Sequence, residues 1–250
     1  MTEPSTFTTP QGRTIAYHQT AGQGPGVVFL GGFNSDMTGT KAQHLEGWAK
    51  AQGRAFLRFD YSGHGQSSGR FTDGCIGDWA QDAEAAITEL TEGPQVLVGS
   101  SMGGWISLLM TKRLPERIAA LVTVAAAPDF TEDSMWAGFD KAQRLALDMV
   151  EQVTLPSDYG EPYVITKRLI VDGRDHLVLR DPLPLPFPVR FLQGTADADV
   201  DMSVALRLLD RAEGDDMHLR LVKGADHRFS DGACLDILTG AVDEVLARLN

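Results

Sequence analysis

Hydrophobic positions along this chain fall into two rhythms that alternate from one end to the other. Compact apolar runs, such as Val27-Val28-Phe29-Leu30, Val96-Leu97-Val98 and Phe191-Leu192, have the length and the lack of polar alternation of strands covered on both faces. Longer stretches between them carry apolar residues at steps of three and four, the spacing that lines one side of a helix. In the last of these, Leu235, Leu238, Val242 and Val245 make a single core-facing stripe. Strands are predicted near 27–30, 55–59, 95–98, 120–124, 189–192 and 219–222, and helices near 40–52, 76–91, 102–113, 203–211 and 233–248. Two earlier strands, 6–9 and 13–19, joined at Pro10-Gln11-Gly12, read as an antiparallel edge hairpin. Strand and helix in alternation mean an α/β fold, with a mostly parallel sheet and helices on both faces. No internal repeat interrupts the pattern.

One segment breaks it. Between Ala127-Pro128 and Pro182-Leu183-Pro184-Leu185-Pro186 a long stretch separates two strands expected to be neighbours. A structureless loop of that length is unusual in a compact domain. Helical pattern near 134–153 makes it a small lid, so the reading is one domain, 1–250, with a lid insertion at 128–182. Met135, Trp136, Phe139, Leu145 and Leu147 of that segment either line an acyl pocket or only pack the lid onto the core. The proline-rich return reads as an extended strap.

Chemistry enters at Gly99-Ser100-Ser101-Met102-Gly103, where a predicted strand turns into a predicted helix. A sharp strand-to-helix turn strains the residue at its tip and raises its side chain above the sheet; small residues two before and two after relieve the crowding. Ser101 is therefore the candidate nucleophile. A serine hydroxyl needs a base, and the base an orienting acid. On an elbow of this type the chain order is serine, acid, histidine. Asp197 lies just beyond Phe191-Leu192-Gln193-Gly194, at the strand edge where parallel sheets place their sites, and His227 occupies the matching loop after 219–222. His176 precedes Asp197 and sits in a charged segment that looks solvated, while His218 begins a strand. Among neighbouring acids, Asp199 is the rival for Asp197, Asp201 reads as a helix cap, and Asp226 as surface.

The oxyanion of a tetrahedral intermediate needs two donors. One is the Met102 N–H, directly after the nucleophile. The other is the Phe33 N–H, after the pair Gly31-Gly32 that lets backbone approach a ligand, with Gly32 itself at the substrate. His64, between Gly63 and Gly65 at the same edge, is a further candidate for substrate contact. Asp60 precedes the nucleophile and reads as a tie for the glycine-rich turn that follows it.

Four blocks carry a likeness to known proteins: Gly31-Gly32-Phe33-Asn34-Ser35-Asp36-Met37-Thr38-Gly39-Thr40-Lys41-Ala42, Arg58-Phe59-Asp60-Tyr61-Ser62-Gly63-His64-Gly65, Val98-Gly99-Ser100-Ser101-Met102-Gly103-Gly104-Trp105 and Asp226-His227-Arg228. In them the chain resembles the serine hydrolases of the α/β-hydrolase fold, and within these the mitochondrial abhydrolase-type palmitoyl-protein thioesterases and acyl-glucuronide hydrolases. The resemblance implies a nucleophile at Ser101, an acid at Asp197, a base at His227 and an ester or thioester substrate. Where many members carry His-Gly, this chain has Gly31-Gly32, and 130–180 is its least similar part.

Composition narrows the picture. A net charge of −12 argues against nucleic acid as partner, since phosphate contacts need clustered Lys and Arg. No apolar stretch is long enough to span a bilayer, and nothing reads as a secretory signal peptide or a mitochondrial transit peptide. Cys75 and Cys234 alone make no disulfide framework. These features lead to the expectation of a cytoplasmic protein acting on a small or acylated substrate. No metal-ligand spacing and no phosphate-binding loop is present, so no cofactor is expected. The same triad on a carbon–carbon or amide bond, and a non-catalytic binder on this scaffold, remain alternatives.

Overall fold

Successive residues of each central strand face opposite ways, and here both ways are apolar. Val96 and Val98 pack into one layer and Leu97 into the other; Val27 and Phe29 alternate likewise with Val28 and Leu30. Such strands need helices on both faces, and the computed structural model, which describes residues 3–156 and 162–249, provides them. Residues 1–2, the start of the segment read for signal peptides, and 157–161, inside the expected lid, lie outside the described residues, as does 250.

In chain order the amino-terminal half comprises β1 (Ser5–Thr8), β2 (Thr14–Thr20), β3 (Gln23–Leu30), α1 (Thr40–Ala51), β4 (Arg54–Phe59), α2 (Ile76–Leu90), β5 (Gln95–Ser100), α3 (Met102–Arg113) and β6 (Ile118–Val124). A long connecting segment follows, with α4 (Lys141–Val150), β7 (Gln152–Leu155), β8 (Tyr163–Thr166), α5 (Lys167–Arg174) and the two-residue β9 (Leu183–Pro184). The chain then resumes with β10 (Val189–Gly194), α6 (Met202–Arg211), the two-residue β11 (Ala212–Glu213), β12 (Met217–Val222) and α7 (Gly232–Ala247). Eight strands form one sheet in the order β1-β2-β4-β3-β5-β6-β10-β12. The expected edge hairpin is present: β2 pairs antiparallel with β1 and with β4, and the rest run parallel. α1 and α7 cover the Val27–Val96 layer, and α2 and α3 the layer of Leu97.

Three expectations are revised. β3 begins at Gln23, earlier than its apolar run, because Gly24-Pro25-Gly26 carries no hydrophobic signal although the backbone there continues toward β4 and β5. The helical pattern expected near 134–153 is interrupted. A π-helical turn, Thr131–Trp136, comes first, and Asp140 then starts α4 with a reciprocal capping box to Gln143. β7 and β8 form a separate antiparallel hairpin beyond it. The segment around His176 is not simply solvated: α5 packs there, Gly173 is buried against Thr131, and the His176 carbonyl accepts the Trp105 indole N–H at 3.0 Å. No described helix is long and apolar enough to cross a membrane.

Candidate active site

Ser101 stands between the last residue of β5 and the first of α3, with φ 55° and ψ −119°. A non-glycine residue held there costs about 1–3 kcal/mol, which the surrounding structure must over-determine. It does so with backbone: the Ser101 N–H donates to the Val124 carbonyl at 2.9 Å, and its carbonyl accepts the Ala127 N–H at 3.1 Å. The flanking glycines are steric necessities. A Cβ on Gly99 would run into the Gly103 carbonyl and Ser107 Oγ, and one on Gly103 into the Leu30 carbonyl.

The loops after β10 and β12 bring the other two groups to this point. His227 Nε2 is 3.1 Å from Ser101 Oγ, and His227 Nδ1 is 2.9 Å from Asp197 Oδ2. The Asp197 side chain is wholly buried. Its Oδ1 accepts the Asp199 and Val200 N–H groups at 3.0 and 2.9 Å, and its Oδ2 accepts the Gln193 amide at 2.9 Å. Burial alone would raise the Asp197 carboxyl, but hydrogen bonds from His227, Val200 and Gln193 outweigh it and hold it below its ordinary range. A carboxylate accepting at Nδ1 places the imidazole proton there and leaves Nε2 bare toward the Ser101 hydroxyl. Among the described residues, Asp197, Asp199 and His227 are the only group with ligand atoms close enough for a metal. The oxygens of Asp197 and Nδ1 of His227 are already engaged with one another and with these donors.

The rivals take other places. Asp199 gives its backbone N–H to Asp197 and lines the cavity beside it. Asp201 caps α6 at the Ser203 N–H, Asp226 accepts the Phe229 N–H, and His218 is largely exposed. Asp60 is buried, and one oxygen accepts the Gln66 N–H, tying the glycine-rich turn that follows it as expected, while the other accepts the Met37 N–H of the loop after β3, a tie that was not expected. Gln193 and its bond to Asp197 escaped the sequence reading, since a glutamine inside a strand announces no role.

The loop after β3 abuts the nucleophile: a Cβ on Gly32 would lie 3.4 Å from Ser101 Cβ. The Phe33 ring is gripped edge-on by Phe71, Phe130 and Tyr163 at 4.7, 5.5 and 5.6 Å between centroids. At Met102, the first residue of α3, no side chain caps the helix, so its N–H is not spent on a cap.

Two expected substrate contacts are not found. His64 is only 3 % exposed and does not line the cavity. Its ring lies edge-on to Tyr61, Phe71 and Trp79, because α2 delivers Trp79 over it. Trp136 also points away from the cavity. Its ring carries the guanidinium groups of Arg174 and Arg144 at 4.7 and 5.0 Å and packs edge-on to Phe139, while its neighbour Met135 lines the cavity. Phe139 and Leu147 are buried in the core and Leu145 is exposed.

Burial pushes the His64 imidazole down from 6.5 to about 4, against its hydrogen bond to the Ser62 carbonyl. Below about pH 6.5 the unfolded chain takes up this proton, and the folded protein does not until about pH 4. Stability from this group is therefore full above that window and is lost as pH falls through it, by about 3 kcal/mol in all. Urea unfolding at pH 7 and pH 4.5 is expected to show this loss in the wild type and its absence in His64→Phe.

The cavity at the site holds about 480 Å³. Phe130, Met135, Tyr163 and Val200 form an apolar part of its wall, and Asn34, Lys41, Arg228 and Ser230 a polar part. Three of these apolar residues, Phe130, Met135 and Tyr163, belong to the segment between β6 and β10. Burial lowers the Lys41 ammonium to about 8, partly offset by Asp226, and its Nζ donates to the Arg228 carbonyl.

Comparison with known proteins bears on this arrangement. A family described as the alpha/beta hydrolase fold matches residues 25–167. The mitochondrial palmitoyl-protein thioesterase ABHD10 of Rattus norvegicus is 34% identical over 243 residues, which cover 96% of this chain and 82% of the relative. The chain belongs to the α/β-hydrolase family. Among solved structures, alpha/beta hydrolase domain-containing protein 10 from mouse superposes with a TM-score of 0.92 at 33% identity over the whole of both chains. A putative hydrolase from Agrobacterium vitis S4 gives 0.94 at 37% identity, covering 97% of this chain and 98% of that one. The expected α/β-hydrolase fold is borne out. The expected cytoplasmic location is not: the ABHD10 relatives of rat, cattle, mouse and human are all named as mitochondrial. That expectation rested on missing signals, and an absence of signals places an α/β-hydrolase in no compartment.

Proposed function

We propose that this α/β-hydrolase cleaves carboxylic esters or thioesters through an acyl-enzyme on Ser101. A hydrolase of ester or thioester bonds is what the family and the relatives named as palmitoyl-protein thioesterases support. The observation that carries the residue roles is the unbroken line from Ser101 Oγ through His227 to Asp197, at 3.1 and 2.9 Å, on a strained elbow. Ser101 Oγ bonds to the substrate carbonyl carbon as its proton passes to His227 Nε2. The carbonyl π electrons move to oxygen, where the Phe33 and Met102 N–H groups receive them. Collapse breaks the bond to the leaving oxygen or sulfur, which takes the proton from His227. Water then repeats the sequence, with His227 as its base, and releases the acid and free Ser101. Asp197 keeps the ring in the tautomer that both steps need.

The two-sided cavity orders the substrate. The acyl chain lies along Phe130, Met135, Tyr163 and Val200, and the polar leaving group faces Lys41 and Arg228, with the inserted segment acting as a lid. Each methylene covered by apolar wall is worth about 0.8 kcal/mol, or roughly fourfold in rate. A panel of p-nitrophenyl esters and acyl thioesters of rising chain length is expected to show kcat/KM climbing by about that factor per methylene until the wall is filled. Failure of every ester and thioester to turn over would overturn the reading.

The same panel separates two adjacent residues. Met135→Ala is expected to flatten the rise with chain length while sparing acetyl esters. Trp136→Ala is expected to lower short and long substrates by the same factor, because that ring holds Arg144, Arg174 and Phe139 and not the acyl chain. The opposite pattern would move the acyl chain to the other side of the π-helical turn.

A further inference from the structure

Behind the loop that abuts Ser101, a buried imidazole makes a contact that the chemistry above does not use. His64 Nε2 accepts the Asn34 N–H at 3.2 Å, and Nδ1 lies 3.2 Å from the Ser62 carbonyl, which can only accept. The ring is thus neutral, with its proton on Nδ1. Asn34 directly follows Phe33 and sits at φ 52°, the left-handed region that asparagine enters more readily than most residues. In the same turn the Ser35 N–H and Ser35 Oγ donate to the Gly32 carbonyl at 3.3 and 2.8 Å. The N–H groups of Asn34 and Ser35 are therefore turned toward partners inside the protein. That of Phe33 donates to no acceptor among the described residues, beside a nucleophile that Gly32 nearly touches.

We propose that His64 is a positioning residue for the oxyanion hole: by accepting the Asn34 N–H it fixes the peptide after Phe33, and so holds the Phe33 N–H toward the oxygen that develops charge at Ser101. This rests on the reading of Ser101 as nucleophile and of Phe33 as one of its two oxyanion donors. The aromatic cage supports the same end. Phe71 and Trp79 touch both the His64 ring and the Phe33 ring, so the acceptor and the residue it positions share one packing unit. A histidine kept only to fill space would have no need of Nε2 as an acceptor, and a phenyl ring would fill the same cage.

The test uses an alkyl trifluoromethyl ketone, which adds Ser101 Oγ to its carbonyl carbon, passes the hydroxyl proton to His227 and leaves an oxyanion in the hole. The matching methyl ketone serves as a ground-state control. In His64→Phe the proposal expects kcat and trifluoromethyl ketone affinity to fall together by roughly tenfold to a hundredfold, below the full cost of deleting an oxyanion donor. KM and methyl ketone affinity should stay within about twofold, since an interaction made only in the transition state leaves ground-state binding alone. In His64→Gln, which keeps an acceptor, part of the loss should return. Equal losses for both ketones, or none, would overturn the proposal. Should His64→Phe not fold, ¹⁵N NMR of the wild type decides alone. The proposal requires the proton on Nδ1 of His64, and a proton on Nε2 would refute it, because that nitrogen could then accept nothing. Failure of the underlying reading looks different: the wild type itself would not bind the trifluoromethyl ketone covalently.

Discussion

Ser101→Ala is expected to lower kcat for a p-nitrophenyl ester by about six powers of ten, with the fold unchanged. The magnitude is that of losing the nucleophile where serine and histidine act as a unit on a preformed oxyanion hole. Folding should survive because the strained backbone at φ 55° is held by the Val124 carbonyl and the Ala127 N–H, not by the hydroxyl. Among the described residues, the hydrogen-bond partner of that hydroxyl is His227. Saturation kinetics and circular dichroism on the purified variant check both halves. A loss below about tenfold would mean that another group attacks the substrate.

Asp197→Asn is expected to cost about four powers of ten in kcat, the scale found where an amide replaces the carboxylate that orients a catalytic imidazole. An amide NH₂ facing Nδ1 would make that nitrogen the acceptor and move the proton to Nε2, where it blocks transfer from Ser101. The loop's own N–H groups decide the orientation: those of Asp199 and Val200 both point at the Oδ1 position and hold the new amide oxygen there, which leaves the NH₂ at the Oδ2 position, facing His227 Nδ1. Asp199→Asn should change kcat little, because its contribution to the triad acid comes from its backbone N–H. Initial rates for the two variants side by side check this, and a reversed order would give the acid's role to Asp199.

What could be read from the sequence was what local physics dictates. Two-sided burial makes the strands flanking Ser101 continuous apolar runs, and a sharp turn at that serine demands glycine at 99 and 103 whatever the rest of the chain does. The order of Ser101, Asp197 and His227 along the chain then limited the partners. Choosing Asp197 over Asp199 was harder, since it depends on which carboxylate the loop's own N–H groups surround. His64 was misplaced because its burial is delivered by Phe71 and Trp79, and no pattern around Gly63-His64-Gly65 announces them. Met135 and Trp136 are neighbours on a single π-helical turn, where apolar character alone does not say which faces the cavity. The hairpin of β7 and β8 was missed because its strands are only four residues each: β7 alternates exposed with half-buried residues, and the Tyr163-Val164-Ile165 run of β8 is too short to mark a strand by itself.

The central claim is that Ser101 becomes covalently acylated, and intact-mass spectrometry after exposure to a fluorophosphonate probe tests it most directly. Attack by Ser101 Oγ on phosphorus expels fluoride and leaves a stable phosphonyl ester. A single adduct is expected on the wild type, mapped by peptide sequencing to Ser101, and none on Ser101→Ala. An adduct that persists in Ser101→Ala, or a wild type that takes up none, would contradict it.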